Sequence, residues 1–170
     1  CVGQSLDRDR IMGWIFEPGI PSGSPVPEPN AFELIDQSRS AWLQGELAAA
    51  DIDATAWTVH EWLYFSNNPP QPLAEAQLDE LDAAFQPTGS KNNEIAHSWL
   101  LMAINNQYQP AYARLYQYLT SIGRIKLVKP LYRELAKTPD GRVFVKRAFD
   151  VAKHGYHPLA IQPCEGYMLE

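Results

Sequence analysis

The run Gly123-Arg124-Ile125-Lys126 carries the clearest chemistry in this sequence. Apolar spacing predicts that one helix stops at Gly123, a C-cap, and that the next begins within three residues. A helix start presents free N–H groups and the positive end of the helix dipole. Arg124 adds a planar fork that matches a carboxylate, and Lys126 adds a point charge. In a loop, side chains two positions apart can converge on one anion; within a helix they cannot. The run therefore reads as a candidate anion site. The plainer reading is two exposed basic residues on a turn.

Other candidates are weaker. His60-Glu61-Trp62-Leu63-Tyr64 begins like the zinc-binding pattern H-E-x-x-H. That pattern works because two histidines one turn apart share a helix face and both reach the metal. Here the second position is Tyr64, and the other histidines are His97, His154 and His157. His60 reads as a surface or half-buried helical residue, and no metal ligand set is expected in this chain. Asp79, Glu80 and Asp82 share one short amphipathic stretch and read as a solvated face rather than a general acid–base pair. No G-x-S-x-G elbow, phosphate loop or G-x-G-x-x-G run is present. Nothing in the chain makes a self-sufficient enzyme.

The elements that must position these residues are helical. No sustained period-2 alternation argues for a sheet. A leading helix is expected over residues 5–16. Residues 17–29 hold five prolines and two glycines and form an extended connector. Asn30 with Glu33 reads as a capping box. The helix it opens runs to about Leu47, with Phe32, Ile35, Trp42 and Leu43 on its buried face. Further helices are expected near 55–66, 73–85, 92–107, 110–122 and 126–137, where Pro130 is tolerable only near the start. A last one opens with Thr138 and Pro139 and ends near Gly155. About eight helices with short loops predict an all-α, two-layer, right-handed superhelix of the armadillo or HEAT type over 30–155. A tail of 156–170 follows. No internal sequence repeat is evident.

The chain has 170 residues, 45% of them hydrophobic, enough for one domain with its own core. No apolar run of membrane-spanning length is present. Two cysteines at opposite ends, Cys1 and Cys164, make no disulfide framework. A cytoplasmic setting is the expectation, with lipidation at Cys1 the other option. The start lacks both Met and a signal stretch, which suggests a chain that begins in mid-protein or a processed product. Net charge is −6, unevenly spread. Residues 1–113 hold four basic side chains and fifteen acids, while residues 114–153 hold ten basic side chains and three acids. A basic C-terminal third suits an anionic ligand or an acidic partner surface. Nucleic acid is not an expected partner, since no recognised motif accompanies it.

Several segments carry a resemblance. Glu94-Ile95-Ala96-His97-Ser98-Trp99-Leu100, the run Gly123-Arg124-Ile125-Lys126-Leu127-Val128-Lys129-Pro130-Leu131-Tyr132-Arg133-Glu134-Leu135, and Tyr156-His157-Pro158 resemble the C-terminal domain of leukotriene A4 hydrolase. Aminopeptidase B and related bacterial enzymes share that domain. Trp14-Ile15-Phe16-Glu17-Pro18-Gly19-Ile20-Pro21 is similar to the segment by which the family enters it. The resemblance covers nearly the whole chain and is weakest across residues 44–90. It implies a helical domain that follows a β domain and a thermolysin-like zinc domain, with the active-site cleft between them. It implies Arg124 as main ligand of the substrate carboxylate and Lys126 as helper. Substrates would be small peptides or, in the hydrolase proper, a fatty-acid epoxide. Zinc, its ligands and the general base would lie in the upstream domain of the same polypeptide, leaving this chain without cofactor or catalytic residues.

A second reading is a free-standing helical-repeat scaffold that binds a protein on its concave face. Trp57, Trp62, Tyr112, Tyr116 and Tyr118 would then be hot spots, against the alternative that they pack the core.

Overall fold

The structure, a computed structural model, describes residues 30–67, 72–156, 161 and 164–168. The leading helix, the connector and part of the tail fall outside these residues. The chain divides into two compact units, Cys1–Ala31 and Phe32–Glu170, and the second is described here.

All regular structure among the described residues is helical. Seven α-helices are α1 (Ala31–Leu43), α2 (Val59–Asn67), α3 (Glu75–Phe85), α4 (Asn93–Asn105), α5 (Tyr112–Ser121), α6 (Ile125–Leu135) and α7 (Pro139–Ala152). Short 3₁₀ turns lie at Ala49–Asp51, Pro87–Gly89, Gln109–Ala111 and Gly166–Met168. Alternate helices stack: α2 on α4, α4 on α6, and α5 on α7. One row is thus α2–α4–α6 and a second holds α5 and α7, the two-layer plan of a helical superhelix. No described helix is long and apolar enough to cross a membrane.

Helix α6 shows why the stack holds. Leu127, Val128, Leu131, Tyr132 and Leu135 are buried, at spacings of one, three and four that keep them on one face. Each buried Leu or Val is worth about 1.5–3 kcal/mol relative to exposure. Lys126, Lys129 and Arg133 are left on the opposite, exposed face. Pro130 sits six residues into the helix, deeper than expected. The helix continues through it, since five buried side chains outweigh the lost backbone bond and ring clash, about 3 kcal/mol together.

Helix ends differ from expectation for identifiable reasons. α1 stops at Leu43, not Leu47, because Gly45 takes a left-handed φ of 74°. The Gly45 N–H then donates to the Trp42 carbonyl (3.0 Å) and Glu46 N–H to Ala41 (2.9 Å), a Schellman closure. Phe32 stays half exposed and stacks on Tyr64 at 4.4 Å, while Ile35 and Trp42 are buried. α2 begins at Val59 because Thr58 and Glu61 form a reciprocal cap. Thr58 N–H donates to the Glu61 carboxylate (2.6 Å), and Glu61 N–H to the Thr58 hydroxyl (3.4 Å). α5 ends at Ser121, and Gly123 lies beyond its cap in an ordinary negative-φ conformation. The expected glycine cap at 123 is therefore wrong.

The acids at 79–82 also correct the sequence reading. Glu80 accepts from the buried Trp42 indole N–H (2.9 Å) and from Ala49 N–H (2.7 Å). Asp79 accepts from the Tyr108 hydroxyl (2.8 Å). Asp82 accepts from Thr88, whose hydroxyl oxygen in turn receives the Trp99 indole N–H (2.8 Å). Glu80 and Asp82 are thus partly buried anchors between elements, while Asp79 is exposed as expected and still holds Tyr108. They satisfy donors that burial would otherwise leave unpaired at about 1–3 kcal/mol each.

Candidate functional site

α4 and α6 run side by side in the same direction. The start of α4 is held on several sides. Asn92 caps it by accepting from Glu94 N–H (3.0 Å) and Ile95 N–H (3.3 Å). The Tyr118 hydroxyl, from α5, donates to the Asn93 carbonyl (2.8 Å). The Arg114 guanidinium lies over the Tyr118 ring at 6.0 Å and donates to the Ser90 carbonyl (3.3 Å). Glu94, in the first turn of α4, therefore rests on a fixed backbone.

The start of α6 is built against the usual rules. Arg124 occupies the cap position, with extended φ and ψ and no side-chain hydrogen bond to the helix. The first turn contains no acid, and Lys126 stands in it. Cations at the positive end of a helix dipole are unfavourable, and an uncapped start forgoes about 1 kcal/mol. An anion offered to this turn meets a guanidinium, an ammonium and backbone N–H groups together.

The structure brings the two predicted residues onto one oxygen. Arg124 Nη1 donates to Glu94 Oε1 at 3.1 Å, and Lys126 Nζ lies 3.6 Å from the same atom. The first is a hydrogen-bonded ion pair and the second a looser ionic contact. Arg124 and Lys126 keep 63% and 68% of their side-chain surface exposed, while Glu94 keeps 30%. Both cations thus stay largely exposed. Glu94 is the partner that sequence reasoning missed: thirty positions separate it from Arg124.

His97 stands one turn beyond Glu94. Its Nδ1 is buried and unpartnered among the described residues. Burial lowers its pKa, helped by the Lys126 charge and opposed by that of Glu94. The imidazole is accordingly neutral at pH 7 and adds no third positive charge.

The zinc-like run has other duties. His60 is exposed, Glu61 caps α2, and the Tyr64 hydroxyl donates to Asp36 (2.8 Å). Among the described residues no group of three or more His, Cys, Asp or Glu side chains could hold a metal ion. Of the aromatic residues, Tyr118 is fully buried, and Trp57, Tyr112 and Tyr116 pack partly buried against the core. Trp57 and Trp62 meet edge to face at 4.9 Å, and Trp62 meets Phe85 at 5.0 Å. Trp42 and Trp99 are core residues.

Fold and turn together define a helical superhelix that carries a paired Arg–Lys cluster at one helix start. Residues 57–165 match the family described as leukotriene A4 hydrolase, C-terminal, and the chain belongs to that family. It is 30% identical over 163 residues to leucine aminopeptidase 2 of Pyricularia oryzae, covering 89% of this chain and 26% of that protein. Against leucine aminopeptidase 2 of Neurospora crassa it is 28% identical, covering 93% of this chain and 24% of that protein. The chain thus spans about a quarter of the length of the curated relatives it matches. Among solved structures, native yeast LTA4 hydrolase matches with a TM-score of 0.66 at 21% identity, over 92% of this chain and 28% of that one. The yeast LTA4 hydrolase complex with Bestatin matches at 0.65 and 22% identity, over 92% and 29%. At that identity the likeness speaks for the helical fold.

Proposed function

We propose that this chain is the C-terminal domain of a zinc aminopeptidase that borders the active-site cleft and binds the free carboxylate of small peptide substrates. Arg124 is the main ligand and Lys126 its helper. The observation that carries the reading is the convergence of both side chains on one carboxylate oxygen, Glu94 Oε1. A cluster that already accommodates one carboxylate in this geometry, with both cations still largely exposed, suits a second. The start of α6, uncapped and free of acids, adds favourable backbone dipoles for an anion.

The division of labour follows. The catalytic zinc and general base belong to an upstream domain of the same polypeptide, where the zinc would polarise the scissile carbonyl. This chain supplies the far anchor. Holding the carboxylate while the upstream domain holds the free amine fixes the peptide's position and favours lengths that span both anchors. Part of the anchor's effect then falls on turnover as well as on binding.

The test is Arg124→Ala in the complete polypeptide that carries this domain, assayed on a tripeptide and on the same tripeptide with a C-terminal amide. The wild type is expected to prefer the free acid. The variant is expected to lose about 30-fold in kcat/KM on the acid, equivalent to about 2 kcal/mol, and little on the amide. A variant that folds and keeps its preference for the acid overturns the assignment of Arg124. A complete polypeptide without peptidase activity turns the reading to the helical scaffold.

A further inference from the structure

We infer that Glu94 sets the charge of the anion site, so that a second negative charge at the C-terminal end of a substrate brings no added affinity. The inference rests on the reading of Arg124 and Lys126 as the carboxylate anchor and adds to it a residue that determines specificity.

The site contains Arg124 and Lys126, both cations, and Glu94, which touches both through Oε1. His97, the adjacent titratable group, is held neutral at pH 7 by burial. The Tyr118 phenol is pushed up to about 12, mainly by burial, and is neutral as well. The three groups in contact, Arg124, Lys126 and Glu94, therefore carry a net single positive charge, while the nearby Arg114 is engaged by the Ser90 carbonyl and the Tyr118 ring. One substrate carboxylate brings it to neutrality. A second carboxylate, as on a C-terminal Asp or Glu, meets a cluster with no charge left over and stands near Glu94 itself.

Position supports the role. Glu94 is fixed by the capped, Tyr118-braced start of α4, whereas Arg124 and Lys126 sit on long exposed side chains. The less mobile member is the carboxylate, so it organises the two cations rather than being carried by them. It also supplies the acid that the first turn of α6 lacks, from a neighbouring helix.

The experiment uses the 170-residue chain at low ionic strength, where charges within one Debye length act on each other. N-acetyl-alanine, a monoanion, and N-acetyl-aspartate, a dianion, are titrated separately, and the backbone amide signals of Ile125 and Lys126 are followed by NMR. The wild type is expected to bind the two with affinities within about threefold of each other. Glu94→Gln keeps the size of the side chain and an acceptor for Arg124 but removes the charge. It is expected to shift the ratio of affinities towards the dianion by about two- to fivefold, the size of one surface charge interaction. Lys126→Gln, with Glu94 retained, is expected to weaken both anions and the dianion more. An unchanged ratio in Glu94→Gln overturns the inference, and so does loss of all binding in that variant, which would make Glu94 a tether only. Arg124→Ala separates the underlying reading: if it binds N-acetyl-alanine as the wild type does, the anchor itself is wrong. If it loses binding while Glu94→Gln leaves the ratio unmoved, the anchor stands and the role of Glu94 falls.

Discussion

Gly141 offers a test in which local propensity and packing disagree in sign. It lies in the first turn of α7, where Ala is preferred over Gly by about 1 kcal/mol. Propensity alone thus predicts that Gly141→Ala stabilises the chain. The structure predicts the reverse. A Cβ at this position would run into the carbonyl oxygen of Leu135, 2.8 Å from its carbonyl carbon and 2.7 Å from Thr138 Oγ1. Leu135 is a core residue at the end of α6, and Thr138 caps α7 by accepting Gly141 N–H at 3.0 Å. The obstacle is backbone, which cannot swing aside as a side-chain tip does, so the α6–α7 turn must shift and the cap loosen. Overpacking of this kind costs about 3 kcal/mol, and the propensity gain offsets about one of them. A net loss near 2 kcal/mol lowers Tm by about 4–8 °C for a chain of this size. Thermal unfolding followed by far-UV circular dichroism reads it directly. Gly89→Ala is the control: nothing lies within 4 Å of its Cβ position, and it should move Tm by less than about 2 °C. A Gly141→Ala chain that melts at or above the parent would refute the packing argument.

Two further outcomes follow from the same structure. Glu80→Ala should cost about 2 kcal/mol by leaving Trp42 Nε1 and Ala49 N–H without their acceptor, and Glu80→Gln less, as read by urea unfolding. His97 should make the fold sensitive to mild acid. Its folded pKa lies below the unfolded value of about 6.5, so the unfolded chain takes up the proton first and stability falls as pH drops below that value. His97→Phe should flatten the fall in Tm between about pH 7 and pH 5.5, and an unchanged slope would assign it to other groups.

Much of the fold was legible in the sequence, because each helix writes its apolar face at a fixed spacing and Pro and Gly mark most of the breaks. The α6 face from Leu127 to Leu135 is the clearest case. Helix ends were read less well where the stop depends on a few backbone angles, as at Gly45, or on a reciprocal cap, as at Thr58 and Glu61. The roles of Glu80, Asp79 and Asp82 were hidden for another reason. Their partners Trp42, Tyr108 and Thr88 are brought to them by tertiary packing, and local spacing holds no trace of it. The site divides the same way. Arg124 and Lys126 stand out by type and by the turn they occupy, whereas Glu94 looks like an ordinary first-turn acid until α4 and α6 are laid side by side.

The stacking of α2 on α4, α4 on α6 and α5 on α7 also bears on how the chain finds its fold. Each stacked pair is separated by a single intervening helix, so no major contact requires a long loop to be closed. Closure entropy stays small at every step, and such short-range topologies fold quickly for their size. Structure can begin at any neighbouring pair and grow in both directions. The start of α6, with its cations, gains its counter-charge once α4 is in place, so the Arg124–Lys126 turn is completed as part of the same growth rather than in a separate late event.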